Sequence, residues 1–428
     1  MQYYLRFWLS ICRTPLTVSA LRIMRYCLIK FSLGGDLVLV FCFFSAQYLP
    51  TVGGVERYTL NLAKRMVQAG HKAIVVTSAL HGLPAHEQDA NGIEIYRLPV
   101  FPLMNGRFPF LKPCPAFFHT VKEIWAQKPD LCVVQTRMYS LSLYAALSAR
   151  RRQIPAIVIE HSTGHMPMNQ PILNAIGQLY EHLVCGAIRR SGAHFYGVSQ
   201  AVCEWLRHFG VQAEGTLYNS VDPEDLQAVA SARNWREALQ LSPETKLAVF
   251  VGRIIPEKGV KPLVSAFARL HLPGTALLVA GDGPQLPELR RSPEPGVYYL
   301  GSQPYPDTLA LLQQADVYCL PTTYAEGFPT TLLEAAACGC AILCTNTAGS
   351  AELLPDESYG LRIASPDESL LLPALQKAFT DAEWRAEAAK NARQNLLQHF
   401  TWQATAEKLL CVAARYTLGK QNEGDSPC

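Results

Sequence analysis

The stretch "LVLVFCFFSAQYLPTVGGVERYTLNLAKRMVQAGHKAIVVTS", residues 37–78, changes its hydrophobic period twice. Its opening run, 37–46, is continuously apolar, as a strand buried on both faces must be. "PTVGG" then supplies a tight glycine turn. Val55, Tyr58, Leu62, Met66 and Ala69 follow at helical spacing, and Gly70 closes that helix as a C-terminal cap. A second apolar run, "AIVVTS" at 73–78, completes strand, turn, helix and strand. This is a βαβ unit, and it implies a doubly wound parallel sheet.

The alternation continues outward from there. Further strands are expected at 131–135, 156–160 and 194–198, with a helix over 171–190 between the last two. A second series starts with "KLAVFVG" (246–252) and a helix at 259–270. It runs on through strands at 276–281 and 297–301, a helix at 306–315, a strand at 317–321, a helix at 329–338 and a strand at 341–345. The fold class is therefore α/β, with two Rossmann-like doubly wound domains, 36–218 and 219–399, facing across a cleft. "LYNSVDPEDL" (217–226) reads as the linker, with Asp222-Pro223 as its turn signal. Residues 400–428 form a terminal helix, reaching to about Thr417, and a tail.

The totals agree with this division. A chain of 428 residues exceeds one ordinary core, and its 49% hydrophobic content suits packed domains. No apolar run reaches the roughly 18–20 residues needed to span a bilayer. A formal charge of +3 without a basic tract argues against nucleic acid as a partner. Thirteen cysteines without framework spacing suggest a reducing cytoplasm. Cys338, Cys340 and Cys344 lie close enough in sequence to suggest a metal, but packing thiols in a helix-to-strand turn are the expectation.

Residues 1–35 differ from the rest. Arg6, Arg13, Arg22, Arg25 and Lys30 meet no acid before Asp36, a pattern suited to an anionic membrane surface. The other reading is an over-long start, with Met24 or a later residue beginning the protein. A secretory signal fits poorly, because arginines interrupt each apolar core. The expected location is cytoplasmic, peripheral at the inner face of the membrane if the basic segment is real.

The charged residues that suggest chemistry cluster at the expected carboxyl ends of strands. "GRIIPEKG" (252–259) places Arg253 and Lys258 there, two cations suited to phosphate, although either could be an ordinary solvated charge. "GDGP" (281–284) ends the next strand, and Gly281 and Gly283 permit close backbone approach. In "EGFPTTLLE" (326–334), Pro329 suits the first position of a helix, so amides around Gly327, Phe328, Thr330 and Thr331 form an anion-attracting start. Glu326 precedes that helix and Glu334 lies inside it. Both carboxylates then suit hydroxyl groups on either side of a diphosphate. A glycosidase pair of facing carboxylates is the rival reading, and spacing alone does not remove it. In the first domain, Gly53 and Gly54 open a helix, and His161 in "IVIEHSTGH" ends a strand at the same edge.

Taken in order, "PTVGGVERY", "EHSTGH", "GVS" (197–199), "NSVD" (219–222), "GRIIPEKG", "GDGP", "LG" (300–301), "LPT" (320–322), "EGFPTTLLEAAACG" and "AGSAE" (348–352) resemble glycosyltransferase family 4 over about residues 37–415. The resemblance implies the GT-B fold, with the last helix crossing back to the first domain. It implies retaining transfer of a hexose from a nucleoside diphosphate sugar to an acceptor hydroxyl; a UDP-, GDP- or ADP-sugar is the expected donor, and the basic start adds the expectation of a glycan or lipid-linked acceptor in envelope polysaccharide, lipopolysaccharide or glycolipid synthesis. By the same resemblance Arg253 and Lys258 hold the diphosphate, Glu334 the ribose and Glu326 the sugar hydroxyls. His161 contacts the sugar, and Gly53 and Gly54 approach the phosphates. No cofactor is expected, and no metal, since the chain has no Asp-x-Asp. Two motifs depart from the family pattern: Ser220 stands for glycine in Asn-Gly-Val-Asp, and Ala348 for the first glycine of Gly-Gly. The rivals are a sugar-nucleotide epimerase of the same fold and a non-catalytic donor-binding protein. Tyr48, Arg57, Arg107 and Lys112 join the basic start as candidates for an acceptor-side or membrane surface.

Overall fold

The computed structural model describes residues 38–51, 53–80, 82–166 and 170–418. The basic segment 1–35 and the tail after 418 lie outside the described residues. Among the described residues, no helix is long and apolar enough to cross a membrane.

The strands run in chain order as β1 Val40–Phe44, β2 Lys72–Ser78, β3 His86–Gln88, β4 Glu94–Leu98, β5 Val100–Leu103, β6 Phe108–Leu111, β7 Leu131–Gln135, β8 Ala156–Glu160, β9 His194–Gly197 and β10 Gly215–Thr216. They continue as β11 Lys246–Val251, β12 Thr275–Ala280, β13 Val297–Gly301, β14 Val317–Leu320, β15 Ala341–Thr345 and β16 Leu361–Ile363. The first sheet has the order β10-β9-β8-β7-β1-β2-β4-β3, parallel except for the β3–β4 edge. The second has the order β13-β12-β11-β14-β15-β16 and is parallel throughout.

This second order reverses between β11 and β14. Ligands of open α/β sheets sit in the crevice that such a reversal leaves beyond the carboxyl ends of the strands. The loops that leave β11 and β14 carry Arg253 and Tyr324. In the first sheet β1 lies between β2 and β7, so the turn after β1 faces the corresponding crevice.

Alternate residues of β1 feed opposite layers, as a pleated strand requires. Phe41 and Phe43 join a core with Tyr58, Leu62 and Met66 of the helix Gly54–Gln68, whereas Cys42 and Phe44 join Phe117, Ile124 and Ala145 on the other face. The first of these cores runs on into the second sheet through Trp402 and Phe400.

The final helix, Trp402–Leu418, returns to the first sheet's unit. Trp402 stacks edge-on against Tyr58 at 5.3 Å, Ser220 and Thr405 share a hydroxyl hydrogen bond of 2.8 Å, and the hydroxyls of Tyr196 and Tyr416 meet at 2.9 Å. Asp222 receives the Trp402 amide at 3.0 Å and also pairs with Arg65. Ser220, the departure from the usual glycine, is thus buried in the hinge.

Several elements go beyond the sequence reading: the β3–β4 edge, the β5–β6 hairpin, and the helices Pro115–Ala126, Ser140–Arg151 and Ala382–His399. Tyr48 is buried, so it forms no part of an acceptor-side surface. Cys340 and Cys344 are buried, and the Cys340 thiol donates to the Leu312 carbonyl at 3.1 Å. Burial pushes the Cys338 and Cys344 thiols up to about 12. These are packing thiols in the turn between helix and strand.

Candidate active site

The loop after β11 forms a single 3-10 turn, Pro256–Lys258. Lys258 leaves it pointing at Glu326, with which it forms a close ion pair. Tyr324 lies between the two cations: Arg253 sits 5.0 Å and Lys258 5.5 Å from its ring centroid. Arg253 is exposed, while the Lys258 side chain keeps only 12% of its surface. Arg253, Lys258 and Glu326 are therefore brought together, as their motifs suggested. Tyr324 was missed, because a lone aromatic between two motifs carries no spacing signal.

The helix Thr330–Cys338 begins one residue later than expected, with Pro329 as its N-cap. The turn before it is gripped from the first unit and the linker. Thr163 Oγ1 donates to the Glu326 carbonyl at 2.7 Å and Ser199 Oγ to the Gly327 carbonyl at 2.6 Å. Asn219 Nδ2 donates to the Phe328 carbonyl and to Thr330 Oγ1, both at 3.0 Å. A Cβ at Gly327 would lie 1.9 Å from the His161 carbonyl oxygen, so only glycine allows the two backbones to touch here. Thr163, Ser199 and Asn219 all fall inside quoted motifs, but spacing does not reveal what they hold.

Glu334 is 3% exposed. Tyr305 donates to its Oε1 at 2.7 Å, and Arg57 approaches it to 3.9 Å while lying 4.2 Å over the Tyr305 ring. Burial holds its carboxyl above the usual range against the pull of Tyr305 and Arg57. Arg57 was read as a residue of an acceptor-side or membrane surface. It instead reaches from the first unit to the second, because it stands in the first turn of a helix aimed at the crevice.

A Cβ at Gly281 would meet the Gly252 carbonyl at 1.8 Å, and one at Gly283 the Ile254 carbonyl at 2.4 Å. The close approach expected of Gly281 and Gly283 is therefore made to the neighbouring loop 252–254, which they hold in place. Beside them a cavity of about 380 Å³ is lined by Arg253, Asp282, Ser302, Gln303 and Thr308. At Gly53 the space is taken by the Glu56 carboxylate, 2.4 Å from where a Cβ would stand, whereas a Cβ at Gly54 would meet nothing within 4 Å. Glu56 accepts from the Gly53 and Glu56 amides at the start of its own helix, and its burial raises its carboxyl.

His161 directly follows β8, with Nε2 2.7 Å from Gln135 Oε1 and its ring edge-on to Tyr58 at 4.8 Å. With Nε2 donating to Gln135, Nδ1 is left as an acceptor. Burial lowers its pKa to about 3, so the imidazole is neutral in the working range and serves as a hydrogen-bonding group, not as an acid. Stability is linked to this. Below the ordinary histidine value of about 6.5 the unfolded chain binds a proton that the folded chain refuses, so folding weakens as pH falls from there toward 3. Glu334 and Glu56, with raised values, act in the opposite sense. Comparing wild type with His161→Gln isolates the histidine: from pH 7 to pH 5 the wild type should lose about 1–2 kcal/mol more of unfolding free energy than the variant. Parallel pH profiles in denaturant titrations would contradict this.

Residues 52–225 match the family model described as Glycosyltransferase Family 4, and residues 231–395 match the model described as Glycosyl transferases group 1. A glycogen synthase of Mycobacterium tuberculosis is 34% identical over 404 residues, covering 87% of this chain and 94% of that protein. A phosphatidylinositol N-acetylglucosaminyltransferase gpi3 subunit of Schizosaccharomyces pombe is 24% identical over 381 residues, covering 84% of this chain and 77% of its own. Among solved structures, Anabaena HepE in complex with UDP superposes with a TM-score of 0.68 at 19% identity, covering 88% of this chain and 100% of its own.

Proposed function

Because the chain belongs to glycosyltransferase family 4 and has its GT-B fold, we propose that it transfers a hexose from a nucleoside diphosphate sugar to an acceptor hydroxyl with retention at the anomeric carbon. The observation that carries this reading is the set of Arg253, Lys258 and Glu326 around Tyr324, on loops flanking the switch point of the second sheet. HepE, which shares the fold, has been solved with UDP and with UDP-glucose, a precedent for a donor of this class.

In the proposed reaction the bond between the anomeric carbon and the phosphate oxygen breaks, and its electron pair leaves with the nucleoside diphosphate. The acceptor oxygen bonds to that carbon, and its proton passes to the leaving phosphate. Charge grows on the phosphate as the bond lengthens, so Arg253 and Lys258 act more strongly on the transition state than on the bound donor. Glu326, held by Lys258, faces the sugar hydroxyls, and the Gly327, Phe328 and Thr330 amides at the helix start add to the anion site. Glu334 takes the ribose hydroxyls in place of Tyr305. Neutral His161 contacts the sugar. Two cations already stand where a metal would neutralise phosphate, so we propose catalysis without one.

For the acceptor, a lipid-linked glycan is supported by an exposed apolar edge. Ile172, Ile176, Leu179 and Leu183 stand on one face of the helix Pro171–Arg190. Phe108 of the β5–β6 hairpin, which exposes Phe101 and Phe110, packs on Tyr180 of this helix at 5.7 Å.

The test is a thermal-shift screen of UDP-, GDP- and ADP-sugars followed by turnover with the stabilising donor in EDTA. A ligand selective for the folded state raises its melting temperature. One donor class should stabilise the chain, and activity should persist in EDTA. Absence of stabilisation by all three would overturn the donor assignment. Complete loss of turnover restored by Mg²⁺ or Mn²⁺ would overturn metal independence.

A further inference from the structure

Three histidines from three elements converge behind the crevice, and one of them, His165, lines a cavity of about 460 Å³ that also reaches Tyr324. His165 follows β8 by a short loop, His182 stands on the helix Pro171–Arg190, and His208 lies in the 3-10 turn Arg207–Phe209. His208 Nε2 is 3.2 Å from His165 Nε2 and 3.2 Å from His182 Nε2. Among the described residues this is the one group of three or more metal-ligating side chains whose donor atoms lie within 4.8 Å of one another.

His165 Nδ1 lies 2.9 Å from Glu181 Oε2, a carboxylate that only accepts, so Nδ1 carries the proton and Nε2 presents a lone pair to the cluster. One proton on His208 Nε2 can serve only one of its two neighbours well. The other neighbour's nitrogen is then left facing a group that offers it no proton. A divalent ion satisfies all three at once. Metal-to-nitrogen bonds of about 2.0–2.1 Å in a tetrahedron place the nitrogens about 3.3–3.4 Å apart, close to the 3.2 Å of the two His208 pairs, and the third pair lies within 4.8 Å.

The surroundings point the same way. Glu181 fixes the tautomer of His165 as the outer carboxylate of a metal-bound histidine does. Arg137 pairs with Glu160 and Glu181, both at 2.8 Å, and all three are buried. One guanidinium against two carboxylates leaves net negative charge directly behind His165. Trp205 stacks on His208 at 4.8 Å and Phe209 packs on His182 at 4.6 Å, walling the inner side, while His182 and His208 keep the outer side open to solvent.

We propose that His165, His182 and His208 bind a divalent transition metal of the zinc class, with a solvent molecule completing four-coordination. Imidazole donors favour zinc, copper and nickel over magnesium or calcium. The ion ties the loop that carries His161 and Thr163 to the helix and turn behind it. It steadies the first unit's grip on residues 326 and 327 without touching the reacting atoms. The inference rests on the geometry of these side chains and is independent of the donor reading.

The experiment uses the full chain without an affinity tag, stripped with chelator and dialysed. Calorimetric titration with Zn²⁺ should give one equivalent bound, Co²⁺ should give the visible absorption of a four-coordinate nitrogen site, and Mg²⁺ should give neither. Loss of an outer carboxylate typically weakens a metal site by roughly 10–100-fold, and loss of a ligand should cost more. His182→Ala and His208→Ala, both at exposed positions, should therefore lose stoichiometric binding while their metal-free melting temperatures match wild type. Zn²⁺ should raise the melting temperature of the wild type alone. Absence of a one-to-one isotherm, or undiminished binding in the His182→Ala and His208→Ala variants, would overturn the proposal. If either alanine variant is destabilised, His182→Gln supplies the same comparison.

Discussion

Lys258→Ala should lower turnover on the order of 100-fold, equivalent to about 2.7 kcal/mol of transition-state stabilisation. The ammonium is nearly enclosed, pairs with Glu326 and lies against Tyr324. Its worth is therefore little reduced by solvent. Because phosphate charge develops during bond breaking, the loss should fall mainly on kcat, with a smaller rise in KM. A merely structural role would look different. Were Lys258 only the partner that neutralises Glu326, then Glu326→Gln would relieve the unpaired carboxylate, and the double variant would recover most of the lost rate. A double-mutant cycle on kcat separates the two cases. A near-normal rate in Lys258→Ala, or recovery in the double variant, would discredit the leaving-group role.

The parts of the fold that could be read from sequence are those whose two faces are both buried. β7 and β8 match their expected bounds because every residue of each is enclosed, leaving a continuous apolar run between polar ends. The helix Pro171–Arg190 matches because proline opens it and two arginines close it. The β4–β6 region escapes for the opposite reason. Arg97 is buried within β4 only because Glu87 and the Pro84 carbonyl receive it, and Pro102 and Pro109 face each other across the two-stranded hairpin. Charge and proline there argue against strands until the partners are known. The helix Ala382–His399 buries only Trp384, Ala388, Ala392 and Leu396 along a largely polar surface, so its periodicity is weak. In the candidate site, charged residues announce themselves by motif. Their neutral partners do not, since Thr163 and Ser199 act through contacts made only when the two units meet, and Asn219 through one made only when the linker folds onto the helix start.

Gly327→Ala should lower turnover by about 100-fold or more while leaving both sheets intact. The added methyl would sit 1.9 Å from the His161 carbonyl oxygen and 3.2 Å from Val198 Cγ2. The first is backbone at the end of a buried strand and has no flexible end to move aside. The turn itself must therefore retreat. It is anchored by two hydrogen bonds from the first unit, Thr163 to residue 326 and Ser199 to 327, and by one from the linker, Asn219 to 328. A retreat of about 1 Å weakens all of them and shifts Glu326 and the helix start away from the cations across the mouth. Misplacement on that scale costs on the order of 100-fold where catalysis depends on positioning. Since Arg253 and Lys258 stay on their own loop and only the amides of the helix start withdraw, affinity for the nucleoside diphosphate alone should fall far less than kcat. The expected signature is thus a large fall in kcat with nucleotide binding retained, measured by calorimetry beside steady-state turnover. Near wild-type kcat would mean that the two units need not touch at residue 327 for transfer, and the contact between His161 and Gly327 would then belong to a resting arrangement.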